Sequence, residues 1–135
     1  MTQEPKTIST RYRVIYGDTD CMQIMYYANY LRLFEMGRNE YIRAQGMTYR
    51  EIEERGVRLP VTEVGVRFFE PAVYDDEIEI KTSVEKLGRA SVRFGYRLDR
   101  GSDHVALVEG FTVHACLDAS TGKVTRLAPD ILDAL

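Results

Sequence analysis

Two carboxylates stand one residue apart at Asp18 and Asp20, inside the run Tyr16-Gly17-Asp18-Thr19-Asp20-Cys21-Met22-Gln23-Ile24-Met25-Tyr26-Tyr27-Ala28-Asn29-Tyr30. Beyond them the chain passes through several backbone amides into a segment of helical periodicity that begins near Asn29. A helix start carries N–H groups without intrahelical partners and the positive end of the helix dipole, so a carboxylate beside it stays ionised and a polarised carbonyl oxygen finds donors there. A carboxylate and such donors on two sides of a carbonyl group are the outline of a hydrolytic site. By residue type alone, Asp-x-Asp between a strand and a helix is more often turn chemistry, and the spacing leaves both readings open.

Other chemistry is poorly supported. The chain has two cysteines, Cys21 and Cys116, at no spacing that suggests a disulfide framework or a zinc site, so both read as free thiols. Cys21 has no histidine near it in sequence, and burial is the commoner fate of a free cysteine than nucleophilic attack. His104 and His114 lack a paired serine or aspartate at a recognisable spacing, and no Gly-x-Ser-x-Gly elbow occurs, which argues against a triad hydrolase. Asp18 and Asp20 together make a poor cage for a divalent cation, and no metal is expected.

At 135 residues the chain is long enough for one core but not two. With 44% hydrophobic and 29% charged residues it falls in the ordinary globular class. A net charge of -3 supplies no global basic footprint for nucleic acid. No apolar run approaches a bilayer span and the N-terminus lacks a signal-peptide core, so a cytoplasmic location is the expectation.

The elements that must hold the two carboxylates follow from periodicity. Residues 1–6 are polar, contain Pro5 and are expected to fray. Ile8, Thr10, Tyr12, Val14 and Tyr16 alternate with polar residues and predict a strand from Thr7 to Tyr16. Tyr30, Leu33, Phe34, Gly37, Tyr41 and Ala44 recur at three and four and predict a helix from about Asn29 to Ala44, with Asn29 as N-cap and Gly46 as stop. Gly37 on that apolar face is either a tolerated interior glycine or the mark of a close backbone approach. Thr48 and Glu51 have capping-box spacing and open a short helix that ends at Gly56.

Four strands then follow, with apolar faces Val64/Val66/Phe68, Ile78/Ile80/Thr82/Val84, Ala90/Val92/Phe94/Tyr96/Leu98 and Val105/Leu107/Phe111/Val113/Ala115/Leu117. A brief strand near Lys123–Leu127 and a helical turn from Pro129 complete the pattern. One long helix and about five antiparallel strands, each with a single apolar face, predict an α+β domain over 1–135 in which the sheet wraps the helix. The outer face, bearing Glu79, Lys81, Glu85, Arg93 and Arg97, reads as solvated or polar-packed, and its long edges invite pairing with a second copy.

The run Tyr16–Tyr30 resembles the Tyr-x-Asp-Thr-Asp and Tyr-Tyr-x-x-Tyr signature of hot-dog-fold acyl-CoA thioesterases, the 4-hydroxybenzoyl-CoA thioesterase-like family. The likeness continues through Leu31-Arg32-Leu33-Phe34-Glu35, Arg67-Phe68-Phe69-Glu70-Pro71-Ala72 and Tyr74-Asp75-Asp76-Glu77, nearly the whole chain. It implies the hot-dog fold and hydrolysis of an acyl-CoA thioester, with coenzyme A entering as part of the substrate and no separate cofactor. It implies that Asp20 is the catalytic carboxylate, as nucleophile or general base, and that the backbone amide of Tyr27 receives the thioester oxygen. Asp18 then belongs to the turn. Glu63 reads as an assisting carboxylate that reaches a partner's site in a dimer, against the simpler reading of an exposed strand glutamate. Lys86, Arg89 and Ser91 near a hairpin turn are candidates for the coenzyme A phosphates, and a homodimer or homotetramer is implied.

Gln23 stands where the family commonly has glycine and Met25 where valine is frequent, which raises a rival: an acyl-CoA or acyl-carrier binding module that has lost the chemistry. Dehydratase chemistry on this fold pairs a histidine with an acidic residue, and no histidine lies near the motif. Tyr26, Tyr27, Tyr30 and Phe34 are candidates both for the acyl pocket and for the core, and the acyl group itself is not readable.

Overall fold

The structure is a computed structural model that describes residues 6–135. The expected fraying of the N-terminal residues therefore lies outside the described part, except at Lys6, whose ammonium donates to Gln45 at 2.9 Å. Strand β1 (Thr7–Arg13) leads into a 3-10 turn (Tyr16–Asp18) and a loop, then into helix α1 (Asn29–Ala44) and the short α2 (Tyr49–Glu54). Strands β2 (Val57–Arg58), β3 (Val61–Phe68), β4 (Glu77–Leu87), β5 (Ser91–Arg100), β6 (Ala106–Ala115) and β7 (Leu117–Asp118) follow, with α3 (Pro129–Leu132) last. Five strands form one antiparallel sheet in the order β1-β4-β5-β6-β3, while β2 and β7 pair separately.

The sheet packs around α1 through the residues that strand periodicity assigns inward. Ile78, Ile80, Val92, Phe94, Tyr96 and Leu98 are buried, as are Tyr30, Leu33, Phe34, Gly37 and Tyr41 on the helix. Outside, Lys81 and Arg97 each reach the buried Asp99 at 3.1 Å and Arg93 reaches Glu85 at 2.9 Å, so this face is polar-packed. Gly37 marks a close approach: a Cβ there would stand 2.3 Å from Thr82 Oγ1 and 2.8 Å from Ile80 Cγ2. Gly46 and Gly56 hold the left-handed conformation, with φ of +99° and +85°, that ends a helix without a side-chain penalty. Thr48 Oγ1 accepts the Glu51 N–H at 3.1 Å, which caps α2 as expected. Among the described residues no helix is long and apolar enough to cross a membrane.

Four expectations need correction. The first strand stops at Arg13, because the chain must tighten into the 3-10 turn, and Tyr16 is 74% exposed. Asn29 is not an N-cap but the first helical residue; its amide donates at 2.9 Å to the carbonyl of Asp18, bonding the helix to the loop. Ala44 is exposed and Ile42 takes its place in the core. Lys123–Leu127 is no strand: only Val124 forms an isolated bridge, to Leu117.

The inward face of β6 is also different. Leu98 pairs with Val108 but Asp99 with Ala106, so Leu107 is an inserted residue, and beyond it Val108, Thr112 and His114 face the core. A one-residue bulge reverses the alternation that follows it. Phe111 is thereby turned outward, beneath the Arg93 guanidinium at 3.8 Å from its ring centre.

This reversal buries His114. Its Nδ1 lies 2.9 Å from the Leu59 carbonyl and its Nε2 2.8 Å from Thr112 Oγ1, which in turn bonds the Tyr96 hydroxyl at 2.6 Å. Burial, with a smaller contribution from the Arg38 charge, pushes the imidazole pKa below its ordinary 6.5. The unfolded chain then binds the extra proton first, so stability is full above the unfolded pKa and is lost as pH falls through the folded one. Urea midpoints are expected to drop between about pH 7 and pH 5, and His114→Gln, less stable at neutral pH, is expected to flatten that drop. A second expectation concerns Thr82, whose buried hydroxyl has no hydrogen-bond partner among the described residues. Thr82→Val should leave stability unchanged or raise it, whereas Gly37→Ala should lower it by about 1–3 kcal/mol despite alanine's helix propensity, both read from chemical denaturation.

Candidate active site

The loop between β1 and α1 is built on Asp18, which is 2% exposed. Its Oδ2 accepts the Tyr12 hydroxyl at 2.6 Å and the Ile15 N–H at 3.0 Å, and the Arg32 guanidinium lies 3.9 Å from Oδ1. Burial first, and the Asp18 carboxylate second, hold the Tyr12 hydroxyl above the ordinary phenol range, so it stays a donor. The Asp18 carbonyl accepts the N–H of Tyr26 at 2.8 Å as well as the Asn29 amide. One residue thus bonds the strand end, the loop and the first helical turn, the structural part expected of it.

Asp20 opens a tight turn. Its carbonyl accepts the Gln23 N–H at 2.9 Å, its N–H donates to the Ile24 carbonyl at 2.9 Å, and its Oδ1 accepts the Met22 N–H at 2.8 Å. Oδ2 has no hydrogen-bond partner among the described residues. Gln23 closes the turn at φ +65°, the left-handed conformation that glycine takes freely and that costs a side-chain-bearing residue about 1–2 kcal/mol. The departure from glycine at this position therefore leaves the backbone in a glycine-like conformation. At the other end of the loop the N–H groups of Tyr27 and Ala28 have no partner among the described residues, while that of Asn29 already bonds the Tyr26 carbonyl.

Asp20 and Tyr27 line one cavity of about 320 Å³, with Met25 and Tyr30 at its floor and Phe68, Phe69, Glu70 and Pro71 on the facing wall. Met25 and Tyr30 are 2% and 3% exposed, whereas Phe68 is 53% exposed. Burial raises the Tyr30 hydroxyl above the ordinary phenol pKa, and that oxygen accepts the Ala72 N–H at 3.2 Å. On its other flank Asp20 borders a second groove with Tyr16, Cys21, Gln23 and Tyr74, where the two tyrosine rings stack at 4.1 Å.

The wall is held from outside by Arg100. Its Nη2 donates to the Pro71 carbonyl at 3.1 Å, its Nε to Asp76 at 3.2 Å and its Nη1 to Asp103 at 3.1 Å. Met25 N–H bonds the Ala72 carbonyl at 2.8 Å and Ile24 bridges Val73, so the wall and the Asp20 turn form one hydrogen-bonded piece. Spacing gave no sign of these partners. The wall residues lie in the stretches that carry the family likeness, but nothing in their order says that they face Asp20.

The other expected site residues lie elsewhere. Glu63 is exposed on β3 opposite Val113 and does not line the cavity. Lys86, Arg89 and Ser91 are exposed at the β4–β5 hairpin, and Ser91 pairs with Ala115 while Leu98 pairs with Val108 beside the cavity wall. Seven residues of strand put that hairpin roughly 20 Å from the cavity within one chain. Tyr26 leans on Tyr27 outside the cavity, and Phe34 is fully buried, stacked on Tyr96 at 4.2 Å, so it belongs to the core. Cys21 is exposed and Cys116 buried, both unpaired. No group of three or more His, Cys, Asp or Glu side chains suited to a metal gathers among the described residues.

Comparison with known proteins supplies the family and the fold. The family model described as the thioesterase-like superfamily matches residues 14–135. The chain is 32% identical over 126 residues to a 1,4-dihydroxy-2-naphthoyl-CoA hydrolase of Synechococcus elongatus, covering 91% of each chain. It is 32% identical over 117 residues to the acyl-CoA thioesterase YbgC of Haemophilus influenzae, covering 86% of this chain and 83% of that one. Among solved structures it is similar to a DHNA-CoA thioesterase from Staphylococcus aureus, with a TM-score of 0.90 and 30% identity over 95% of this chain and 87% of that one. A helix wrapped by an antiparallel sheet, an aspartate at the mouth of that helix and a match over almost the full length lead to one conclusion: the chain belongs to the thioesterase-like superfamily and is a hot-dog-fold thioester hydrolase.

Proposed function

We propose that the substrate is an acyl-CoA and that Asp20 and the Tyr27 amide carry out its hydrolysis. The observation that carries this reading is that Asp20 and Tyr27 line one cavity while, among the described residues, one Asp20 carboxylate oxygen and the Tyr27 N–H have no hydrogen-bond partner. With the thioester carbonyl between them, the N–H receives the negative charge that grows on oxygen in the transition state; one such donor is worth about 100- to 1,000-fold in turnover. Asp20 either adds to the carbonyl carbon, giving a mixed anhydride that water opens, or takes a proton from an attacking water. Both routes break the carbon–sulfur bond, form a carbon–oxygen bond and deliver a proton to the departing thiolate, so the products are a carboxylic acid and coenzyme A. No cofactor enters either route. Gln23 holds a left-handed conformation that glycine also takes freely, so the binding-module alternative gains no support from that residue.

The assembly in this reading is a dimer, or a tetramer built from dimers, joined through β3. One sheet edge, β1, presents Ser9, Arg11 and Arg13; the other, β3, presents Val61, Val64 and Phe68, all more than 40% exposed, beside the exposed Glu63 and Arg67. Charge protects an edge from pairing and apolar exposure invites it. Two β3 strands paired antiparallel about a two-fold axis would bring the β4–β5 hairpin end of one copy to the Phe68 end of the other. Lys86, Arg89 and Ser91 would then meet the coenzyme A phosphates, and Glu63 would approach the partner's Asp20, from the second subunit.

Asp20→Asn is expected to lower kcat by about 1,000-fold or more with KM little changed, and full turnover by this variant on a panel of acyl-CoAs would overturn the assignment. Asp18→Asn, by contrast, should cost about 1.5–3 kcal/mol of stability through its hydrogen bonds while lowering kcat less than Asp20→Asn does. Parallel denaturation and kinetic measurements separate the two roles, and a selective loss of turnover at Asp18 would reverse them.

A further inference from the structure

The cavity wall from Glu70 to Val73 runs between β3 and β4, outside every strand. Three of its backbone groups are met by side chains instead of a ladder: the Pro71 carbonyl accepts from Arg100 Nη2 at 3.1 Å, the Ala72 N–H donates to the Tyr30 hydroxyl at 3.2 Å and the Val73 N–H to Asp76 Oδ2 at 2.9 Å. That same Asp76 oxygen accepts from Arg100 Nε at 3.2 Å, so one guanidinium ties down the wall at Pro71 and again, through Asp76, at Val73. The wall then holds the Asp20 turn: the Met25 N–H bonds the Ala72 carbonyl at 2.8 Å, Ile24 bridges Val73, and the Ile24 carbonyl accepts the Asp20 N–H at 2.9 Å. Arg100 itself lines no part of the cavity.

We propose that Arg100 is a positioning residue for hydrolysis at Asp20: it touches neither substrate nor reacting atoms, and acts through the Pro71 carbonyl and Asp76 to set where the wall and the Asp20 turn stand. This rests on the assignment of Asp20 as the reacting carboxylate. Arg100 closes β5, where it pairs with Ile78 and its N–H bonds the Val105 carbonyl at 2.9 Å, so its backbone shares the rigidity of the sheet. Its side chain carries that fixed place to a segment with no ladder of its own. The third bond, from Nη1 to Asp103 at 3.1 Å, holds the fork in orientation without touching the wall. Backbone held only by side chains opens at low cost once those partners are gone. A misplacement of about 1 Å between reacting groups costs on the order of 100-fold in rate, so a wall released from the sheet is felt at Asp20. Lysine does not reproduce the arrangement, because a single ammonium lacks the planar fork that meets Pro71 and Asp76 together.

The test is kcat and KM, per folded protein, for the unsubstituted protein and its Arg100→Ala, Arg100→Lys and Asp76→Asn variants on an acyl-CoA that the unsubstituted protein hydrolyses, with chemical denaturation giving the folded fraction of each. Arg100→Ala is expected to lower kcat about 100-fold with KM changed less than about threefold, the pattern of an arrangement lost from the transition state. Arg100→Lys keeps the charge and should still lose about tenfold. Asp76→Asn should cost about tenfold alone and less than about threefold in the Arg100→Ala background, because the two act through one link. Arg97→Gln, which removes an ion pair to Asp99 on the outer face of the sheet, should keep full kcat. The proposal is overturned by a kcat within about threefold of the unsubstituted protein in the folded Arg100 variants, by a raised KM with kcat unchanged, by Asp76 and Arg100 losses that multiply, or by an equal loss in Arg97→Gln. Should Arg100→Ala fail to fold, Arg100→Lys and Asp76→Asn decide the matter by the same criteria. If Asp20→Asn keeps full turnover, the reading of Asp20 has failed first; if Asp20→Asn abolishes turnover while the Arg100 variants keep theirs, only the positioning role falls.

Discussion

A carboxylate taken almost wholly out of solvent is costly unless donors surround it, and Asp18 is where this chain accepts that condition. Tyr12 from β1, the Ile15 amide and Arg32 from α1 meet its side chain, and its carbonyl holds Tyr26 and Asn29. Three segments that would otherwise move independently are bonded to one residue. The turn that carries Asp20 begins two positions later, so its place relative to the helix mouth follows from this anchor. The two aspartates of the motif differ: Asp18 is buried and satisfied, and Asp20, on a cavity wall, has an oxygen without a partner among the described residues.

The second constraint is how closely α1 approaches the sheet. Gly37 lets the helix backbone settle against Thr82 and Ile80, and on the sheet side a Cβ at Gly110 would meet the Phe34 ring at 2.7 Å. Both glycines leave out the side chain that would hold helix and sheet apart. With the helix seated, its first turn is placed beside Phe68–Pro71, and Arg100 keeps that wall against the loop from the far side. The geometry of the cavity thus depends on packing well away from Asp20. The N–H groups of Tyr27 and Ala28, without partners among the described residues, follow from the same arrangement, since the loop uses its bonds at Tyr26 and Asn29 on either side of them.

Much of this was legible in the residues. Alternation in β1, β4 and β5 and the three-four spacing of α1 are set by the local backbone period, and they predict the inward faces there correctly. Thr48 as a cap, Gly46 and Gly56 as stops, and the polar packing of Glu85, Arg93 and Arg97 follow from short-range chemistry. The motif around Asp18 and Asp20 resembles a known signature, and the family assignment bears out that resemblance. Where reading failed, a contact between distant segments had decided the matter. The bulge at Leu107 reversed the face of β6, because the mismatch arises between β5 and β6 and has no mark in either strand alone. Asn29 has the residue type of a cap, yet its amide is drawn to a carbonyl 11 positions earlier.

By itself, then, the sequence determined the long helix and the main strands, the α+β class and the pair of carboxylates before that helix, since each depends on neighbours within a few residues. Only the tertiary structure decided which aspartate is buried, that Phe68, Phe69 and Glu70 face Asp20, and that the Lys86–Ser91 hairpin lies at the opposite end of the sheet. The facing of the Asp20 turn by Phe68–Glu70 relates segments 40 or more positions apart, as does the bond from the Ala72 N–H to the Tyr30 hydroxyl 42 positions earlier, and a local period carries no information about such relations.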